Sequence, residues 1–446
     1  MDTNSTFIFM AADNHLDLSA NWEIDEILQA ELAADVKVVL QFDRRQPLLW
    51  EAAASAQRLQ LVGHQLELLQ DMGQTNAGDP AVLNDFLQWG SHHFPAQRKI
   101  AIICNHDDAD NDSELYLSLG SKFKKTLFCP KQQRRQVQPT PQIQGVLFQE
   151  RQAFLERQEI QALAPEAFHS ALPAHRPASH ADYLTHIDRL VCIGDTSRDF
   201  LDNLELKSSL ALAQQKFDLV IFDACMMSRF EIVYQLRDEV EIIIASEEMV
   251  PNMKPNQKPT ALWPYRAILN YLSANQTIDN ETLAREMVRL YGEHHAKNDD
   301  MVTQSALRTE NIAACAAKLD AFAALLTAAL GNIRPTLADI LAVTRRFSEG
   351  DYIDIYDFVL LCKNNVKLFY IPDQAEDLLM LLDQSIIANV ATGHGNSHAH
   401  GLAIYFPQKP PKDDALQIYR MLDFTMAHPN WLNLINAFYT PPVLRR

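Results

Sequence analysis

Phe217-Asp-Leu-Val-Ile-Phe-Asp-Ala-Cys225 decides the reading of this chain. Leu219 to Phe222 is a continuous apolar run, the mark of a buried strand, and it delivers Asp223 and then Cys225 at its carboxyl end. In an open α/β sheet that end is where ligands and catalysis gather. A second run, Lys99-Ile-Ala-Ile-Ile-Cys-Asn-His106, delivers a histidine in the same way. Cysteine at one strand end and histidine at another suit a thiol nucleophile with a separate base. Such a pair is distant in sequence yet able to meet in space.

Outward from these two runs the chain alternates strand and helix. Phe7–Ala11, Val36–Phe42 and Val240–Ala245 are further short runs rich in β-branched or aromatic residues, and Trp50–Gln70 and Asp199–Gln214 read as amphipathic helices between strands. Buried strands alternating with helices imply an α/β fold, a mostly parallel central sheet flanked by helices. Residues from about 120 to 185 break the pattern. They are rich in Gln, Arg, Pro and His and read as an exposed, inserted excursion. From Pro264 onward helix dominates (Glu281–His295, Asn311–Leu330, Gln374–Ala388), with one late strand, Leu402–Phe406. The expected division is therefore 1–263, carrying the excursion, and a mainly helical 264–446 packed on it.

Composition excludes some classes. The 446 residues are 47% hydrophobic and 22% charged, as expected of a globular protein. No stretch reads as the ~20 apolar residues that a membrane span needs. Phe7-Ile-Phe-Met10 follows the N-terminus with no basic region before it, so no secretory signal is read. The six cysteines are scattered, which suits free thiols in a reducing cytoplasm better than a disulfide framework. A net charge of −18 argues against nucleic acid or anionic membrane as a partner and is compatible with a basic one.

Ordered short motifs carry a family resemblance along nearly the whole chain. They are Phe9-Met-Ala-Ala-Asp-Asn14, Leu83-Asn-Asp-Phe-Leu-Gln-Trp89 with Phe94-Pro-Ala96, and Gly194-Asp-Thr-Ser-Arg-Asp-Phe-Leu201. Then follow Asp223-Ala-Cys-Met-Met227 with Glu231, Ala245-Ser-Glu-Glu248, Gly401-Leu-Ala-Ile-Tyr-Phe-Pro407 and Asn430-Trp431. Together they resemble the clostripain family of cysteine peptidases, relatives of caspases and gingipains. The resemblance implies a caspase-like domain and a cysteine endopeptidase that cuts protein or peptide substrates after Arg or Lys. In it Cys225 is the nucleophile, His106 the base, and Asp223 the floor of the pocket for the residue before the cut (S1). No cofactor is required.

The residues can be weighed beside that resemblance. Cys225 precedes a helix-like segment, Met226–Leu236, whose positive end would favour the thiolate; the alternative is a small buried core residue. His106 is a general acid–base or a solvated loop histidine. Asp223 shares a strand face with position 225 and could line a pocket there, or it could cap the following helix. The family's glycine after the histidine is replaced by Asp107-Asp-Ala-Asp-Asn-Asp-Ser-Glu114. Asp107 would then supply the oxyanion-hole N–H, with restricted backbone and an added negative charge. This substitution motivates the alternative function, an inactive pseudo-peptidase acting as a binding or regulatory module.

Asp108, Asp110 and Asp112 have the alternation that opens a calcium loop, and some family members are calcium-activated. The full template fails at Ser113 and Leu119, which leaves a solvated acidic loop as the competing reading. His394, His398 and His400 invite zinc but lie in a Gly/Asn/Ser loop without a nearby cysteine or carboxylate. The excursion offers Lys122, Lys124, Lys125, Arg134 and Arg135 as sites for activating cleavage, by the enzyme itself or by an upstream protease. It equally reads as an ordinary variable insertion.

Overall fold

The computed structural model describes residues 2–12, 20–44, 55–105, 191–194, 199–201, 203–213, 216–250, 263–296, 300–347, 350–368, 370–411, 416 and 419–440. One compact unit, 1–109 with 189–410 and 422–446, holds nearly all of them; a second, 110–188 with 411–421, lies almost wholly outside them.

The strands in chain order are β1 (Asp2–Ala12), β2 (Val36–Arg44), β3 (Ala56–Val62), β4 (Gln65–Gly73), β5 (Ala96–Asn105), β6 (Val191–Gly194) and β7 (Asp199–Leu201). There follow β8 (Phe217–Ala224), β9 (Val240–Ala245), β10 (Thr303–Arg308), β11 (Tyr352–Asp354), β12 (Ile386–Ala391) and β13 (Ala403–Tyr405). Nine of them form one sheet in the order β12-β10-β9-β8-β5-β1-β2-β3-β4. The central strands β2, β1, β5, β8 and β9 run parallel, while the flanking strands pair antiparallel. The expected class, a mostly parallel central sheet flanked by helices, is what the chain adopts.

Burial on both faces explains why the central strands read as unbroken apolar runs. Ile8, Ile102, Leu219, Ile221 and Ile244 meet Ile27, Ile268, Leu272, Met287 and Tyr291 from the helices Ala20–Leu28, Tyr265–Ala274 and Asn280–Ala296. Phe7 and Phe9, one residue out of phase, face Phe86 of the helix Pro80–His93 on the other side. Because side chains alternate, Asp223 belongs to the same row as Leu219 and Ile221.

Several local expectations change. The segment 50–70 was expected to be an amphipathic helix; its described part from Ala56 is instead the β3–β4 hairpin. Helix-favouring Gln, Leu and Glu lose here to tertiary pairing. Gly63 turns the chain at φ +59°, β3 docks on β2, and the buried Arg58 bonds Gln41 on that strand and Asp85 on a helix. In the C-terminal part β10 and β12, expected as helix or loop, extend the main sheet, so strands from both sides of 263/264 lie in one sheet. The helix expected to stop at Leu330 runs through Pro335 to Val343. That helix, Ile312–Val343, is long and apolar enough by length and composition to cross a membrane, contrary to the expectation that no such stretch exists. Alanine, glycine and threonine between the larger residues disguised it. Its Leu319, Phe322, Leu326 and Ile333 are buried, and it packs against the helices Asn430–Tyr439 and Tyr370–Ser385.

Candidate active site

All five parallel strands end on one edge of the sheet, and β5 and β8 are neighbours there, with Cys104 opposite Asp223 and Asn105 opposite Ala224. Cys225 is the next residue after β8, and His106 the next after β5. His106 lies outside the described residues, as do Asp107, Asp108, Asp110, Asp112, Lys122, Lys124, Lys125, Arg134 and Arg135.

Cys225 sits in a tight turn. Met226 follows at φ +50°, a left-handed conformation that costs a non-glycine residue about 1–3 kcal/mol and clusters at functional sites. Backbone bonds hold it there: Met226 N–H donates to Glu248 O at 3.2 Å and Ser228 N–H to Ser246 O at 2.8 Å. The Cys225 side chain is 3% exposed and packs with Met226, Met249 and Val250. Its Sγ accepts the Val250 N–H at 3.3 Å.

The expected helix end beside the nucleophile is not there. The next helix begins only at Phe230 and has seven residues. Residues 226–229 are drawn instead into bonds with the segment after β9 and a bridge from Arg229 to Ala403. Asp223 therefore caps no helix, because the N-cap is Arg229 and no side chain bonds there.

Asp223 is 0% exposed, and its Oδ2 accepts the Tyr265 hydroxyl at 2.7 Å. Around it are Cys104, Glu23, Trp263 and Tyr291. Burial, then the Asp223 charge, pushes the Cys104 thiol and the Tyr265 and Tyr291 phenols well up, so all three stay protonated. The Trp263 backbone N–H donates to Glu23 Oε1 at 3.3 Å, and the Trp263 ring lies 5.9 Å from Tyr265 and 5.6 Å from Tyr291. Two buried carboxyl groups, those of Asp223 and Glu23, thus sit beside an aromatic wall. Sequence reading missed Glu23, Trp263, Tyr265 and Tyr291. No motif in the sequence marked them, and nothing in the local pattern names a residue's partner across the fold.

A second polar cluster supports the turn from the C-terminal side. Glu247 Oε2 accepts the Gly401 N–H at 2.9 Å, and Gly401 O accepts the hydroxyls of Ser228 and Ser305, each at 2.6 Å. Burial, then the neighbouring Asp354, raises the Glu247 carboxyl well above the usual range. Asp354 in turn accepts the His400 backbone N–H at 2.6 Å and faces His400 Nδ1 at 3.3 Å, while His398 Nδ1 lies 3.5 Å from Asp357. The histidines thus do have carboxylate companions, from β11 and the helix after it. No group of three potential metal ligands assembles among the described residues.

Fold and turn define a class: an α/β protein whose mostly parallel sheet presents a thiol at a strained turn after a central strand. The model of the clostripain family matches residues 8–128 and 175–437. The chain belongs to the clostripain family and is a cysteine peptidase. Among curated proteins no match is found. Among solved structures it is similar to a secreted cysteine protease from Bacteroides thetaiotaomicron bound to an irreversible peptide inhibitor. The TM-score is 0.59 at 14% identity, covering 96% of this chain and 99% of that one. A second is an inactive zymogen protease from Parabacteroides distasonis, with TM-score 0.55, 14% identity, and 96% and 98% coverage. A third is iotapain, again secreted and from B. thetaiotaomicron, at TM-score 0.58 and 13% identity, covering 95% and 98%. At such identities the likeness concerns the fold.

Proposed function

We propose that this peptidase cleaves after arginine or lysine, with Cys225 as nucleophile, His106 as its acid–base partner and Asp223 as the anionic group that selects the basic residue. The observation that carries the reading is the strained Cys225 turn at the end of β8, beside the strand that leads into His106.

In this scheme His106 takes the thiol proton as Cys225 Sγ attacks the scissile carbonyl carbon, forming the C–S bond while the carbonyl π electrons move onto oxygen. Collapse of the tetrahedral adduct expels the amine, which takes its proton from His106, and leaves a thioester. Water then adds to the thioester, giving its proton to His106, and the acid leaves as the thiol is restored. The N–H that bonds Sγ, from Val250, favours the thiolate at the start of each cycle. The P1 cation reaches Asp223 by sharing or displacing the Tyr265 hydroxyl, with a guanidinium offering charge-assisted bonds to the carboxylate.

Activation by cleavage at Lys122, Lys124, Lys125, Arg134 or Arg135 belongs to the same proposal, and one structural relative is described as a zymogen. A calcium role for Asp108, Asp110 and Asp112 is a separate reading, tested by whether a chelator lowers turnover. The decisive experiment is hydrolysis of an arginyl fluorogenic peptide by wild type and Cys225→Ala. Turnover that survives in Cys225→Ala sinks the nucleophile assignment; a folded wild type with no turnover, nicked or intact, favours the pseudo-peptidase.

A further inference from the structure

We propose that Arg345 is a positioning residue for the Cys225 thiol and acts through Glu248. This rests on the reading of Cys225 as nucleophile. Arg345 lies just beyond the long helix Ile312–Val343, far in sequence from the strand ends. Its Nη2 donates to Glu248 Oε2 at 2.8 Å and to Asn396 Oδ1 at 2.6 Å. Its own backbone is pinned by Asp357, whose Oδ2 accepts the Arg345 N–H at 2.8 Å. The guanidinium is therefore a fixed point on the C-terminal side.

Glu248 connects that point to the thiol through successive backbone groups. Its Oε1 accepts the Met249 N–H at 3.0 Å, so the carboxylate is clamped between its own chain and Arg345. Its carbonyl accepts the Met226 N–H that holds the left-handed residue. Two residues on, the Val250 N–H donates to Cys225 Sγ. Glu248 is mostly buried, so without Arg345 its carboxylate would be drawn toward water. The Glu248 backbone is also held by the Ser246 and Thr303 hydroxyls, so the loosening falls on Met249 and Val250 and on the N–H that bonds the thiol. Glutamine at 248 offers one acceptor where glutamate offers two, so it keeps only one arm of the clamp.

The test uses the full chain and the variants Arg345→Ala, Arg345→Lys, Glu248→Gln and the Arg345→Ala/Glu248→Gln double. Two readouts are taken: the rate of Cys225 alkylation by the neutral reagent iodoacetamide, mapped by mass, and kcat and KM on an arginyl peptide. Thermal unfolding of each variant gives its folded fraction. Arg345→Ala and Glu248→Gln should each slow alkylation and lower kcat by about tenfold, the loss of a charged hydrogen bond, with KM little changed. Arg345→Lys should recover most of the rate, and the double variant should be no worse than the poorer single. Unchanged alkylation in Arg345→Ala, losses that multiply in the double, or losses that track the unfolded fraction would overturn the proposal. Should Arg345→Ala not fold, Glu248→Gln decides, because an unaltered alkylation rate in that shape-conserving variant also overturns it. Full turnover in Cys225→Ala is a different outcome: it removes the nucleophile reading, whatever the alkylation rates show about Arg345.

Discussion

Asp223→Asn is the perturbation that most directly separates a specificity carboxylate from a structural one. The substitution keeps the shape at a fully buried site and leaves an amide oxygen to accept the Tyr265 hydroxyl, now at 2.7 Å from Oδ2. What it removes is the charge. A charged hydrogen bond is worth roughly 1.5–3 kcal/mol, and each 1.36 kcal/mol is tenfold in rate, so kcat/KM after Arg should fall about ten- to a hundredfold. Hydrolysis after an uncharged residue should change far less, because Glu23 and the aromatic wall remain in place. The assay is kcat/KM on matched arginyl, lysyl and neutral fluorogenic peptides, with urea unfolding beside it. Arginine should lose more than lysine, since a guanidinium can hold both carboxylate oxygens and an ammonium is a point charge. An unchanged ratio of arginyl to neutral hydrolysis, accompanied by a drop in stability, would refute the reasoning and make Asp223 a buried structural acid bonded to Tyr265.

Three further outcomes are expected. An arginyl chloromethylketone should label Cys225 and leave Cys104 unlabelled, because burial and Asp223 hold the Cys104 thiol protonated; label on Cys104 with Cys225 untouched would reverse the assignment. His400 should make stability fall as pH rises. Burial alone would lower this imidazole, but the hydrogen bond and charge of Asp354, with Asp357, raise it above its ordinary value. A folded pKa above the unfolded one stabilises fully below the ordinary histidine value, about 6.5, and that contribution is lost as pH rises through the folded pKa. Unfolding midpoints of His400→Gln against wild type should therefore differ most under mildly acidic conditions and converge above neutrality; a constant gap would exclude the linkage. Finally, protein nicked at a basic residue within 120–185 should gain activity, and replacing Lys122, Lys124, Lys125, Arg134 and Arg135 with Ala should prevent both events; an uncut yet fully active variant would rule out activation at these five sites.

The central strands were legible because burial on both faces writes itself into consecutive residues: Leu219–Phe222 and Ile100–Ile103 need no partner to be recognised. Strand ends follow from the same runs, so Asp223 and Cys225 could be placed at one edge of the sheet before their surroundings were known. The flanking strands were not legible. Gln57–Leu61 and Ile386–Ala391 carry residues that serve in helices as well, and only pairing with β2 and β10 selects the strand. The turn after Cys225 likewise looked like the start of a helix, since Met226–Leu236 has helical composition. Acceptors on Ser246 and Glu248, supplied by the segment after the next strand, take its first N–H groups instead.

The sequence by itself thus determined the family, the parallel core and the position of the thiol, each of which depends on local pattern or on the order of short motifs. The tertiary structure alone decided what those groups touch. Tyr265 on Asp223, Glu23 on Trp263 and Arg345 on Glu248 join residues 42, 240 and 97 positions apart. Periodicity reports which face a residue occupies; it does not carry the identity of the side chain that meets it across the fold, and hydrogen bonds and charge depend on that identity.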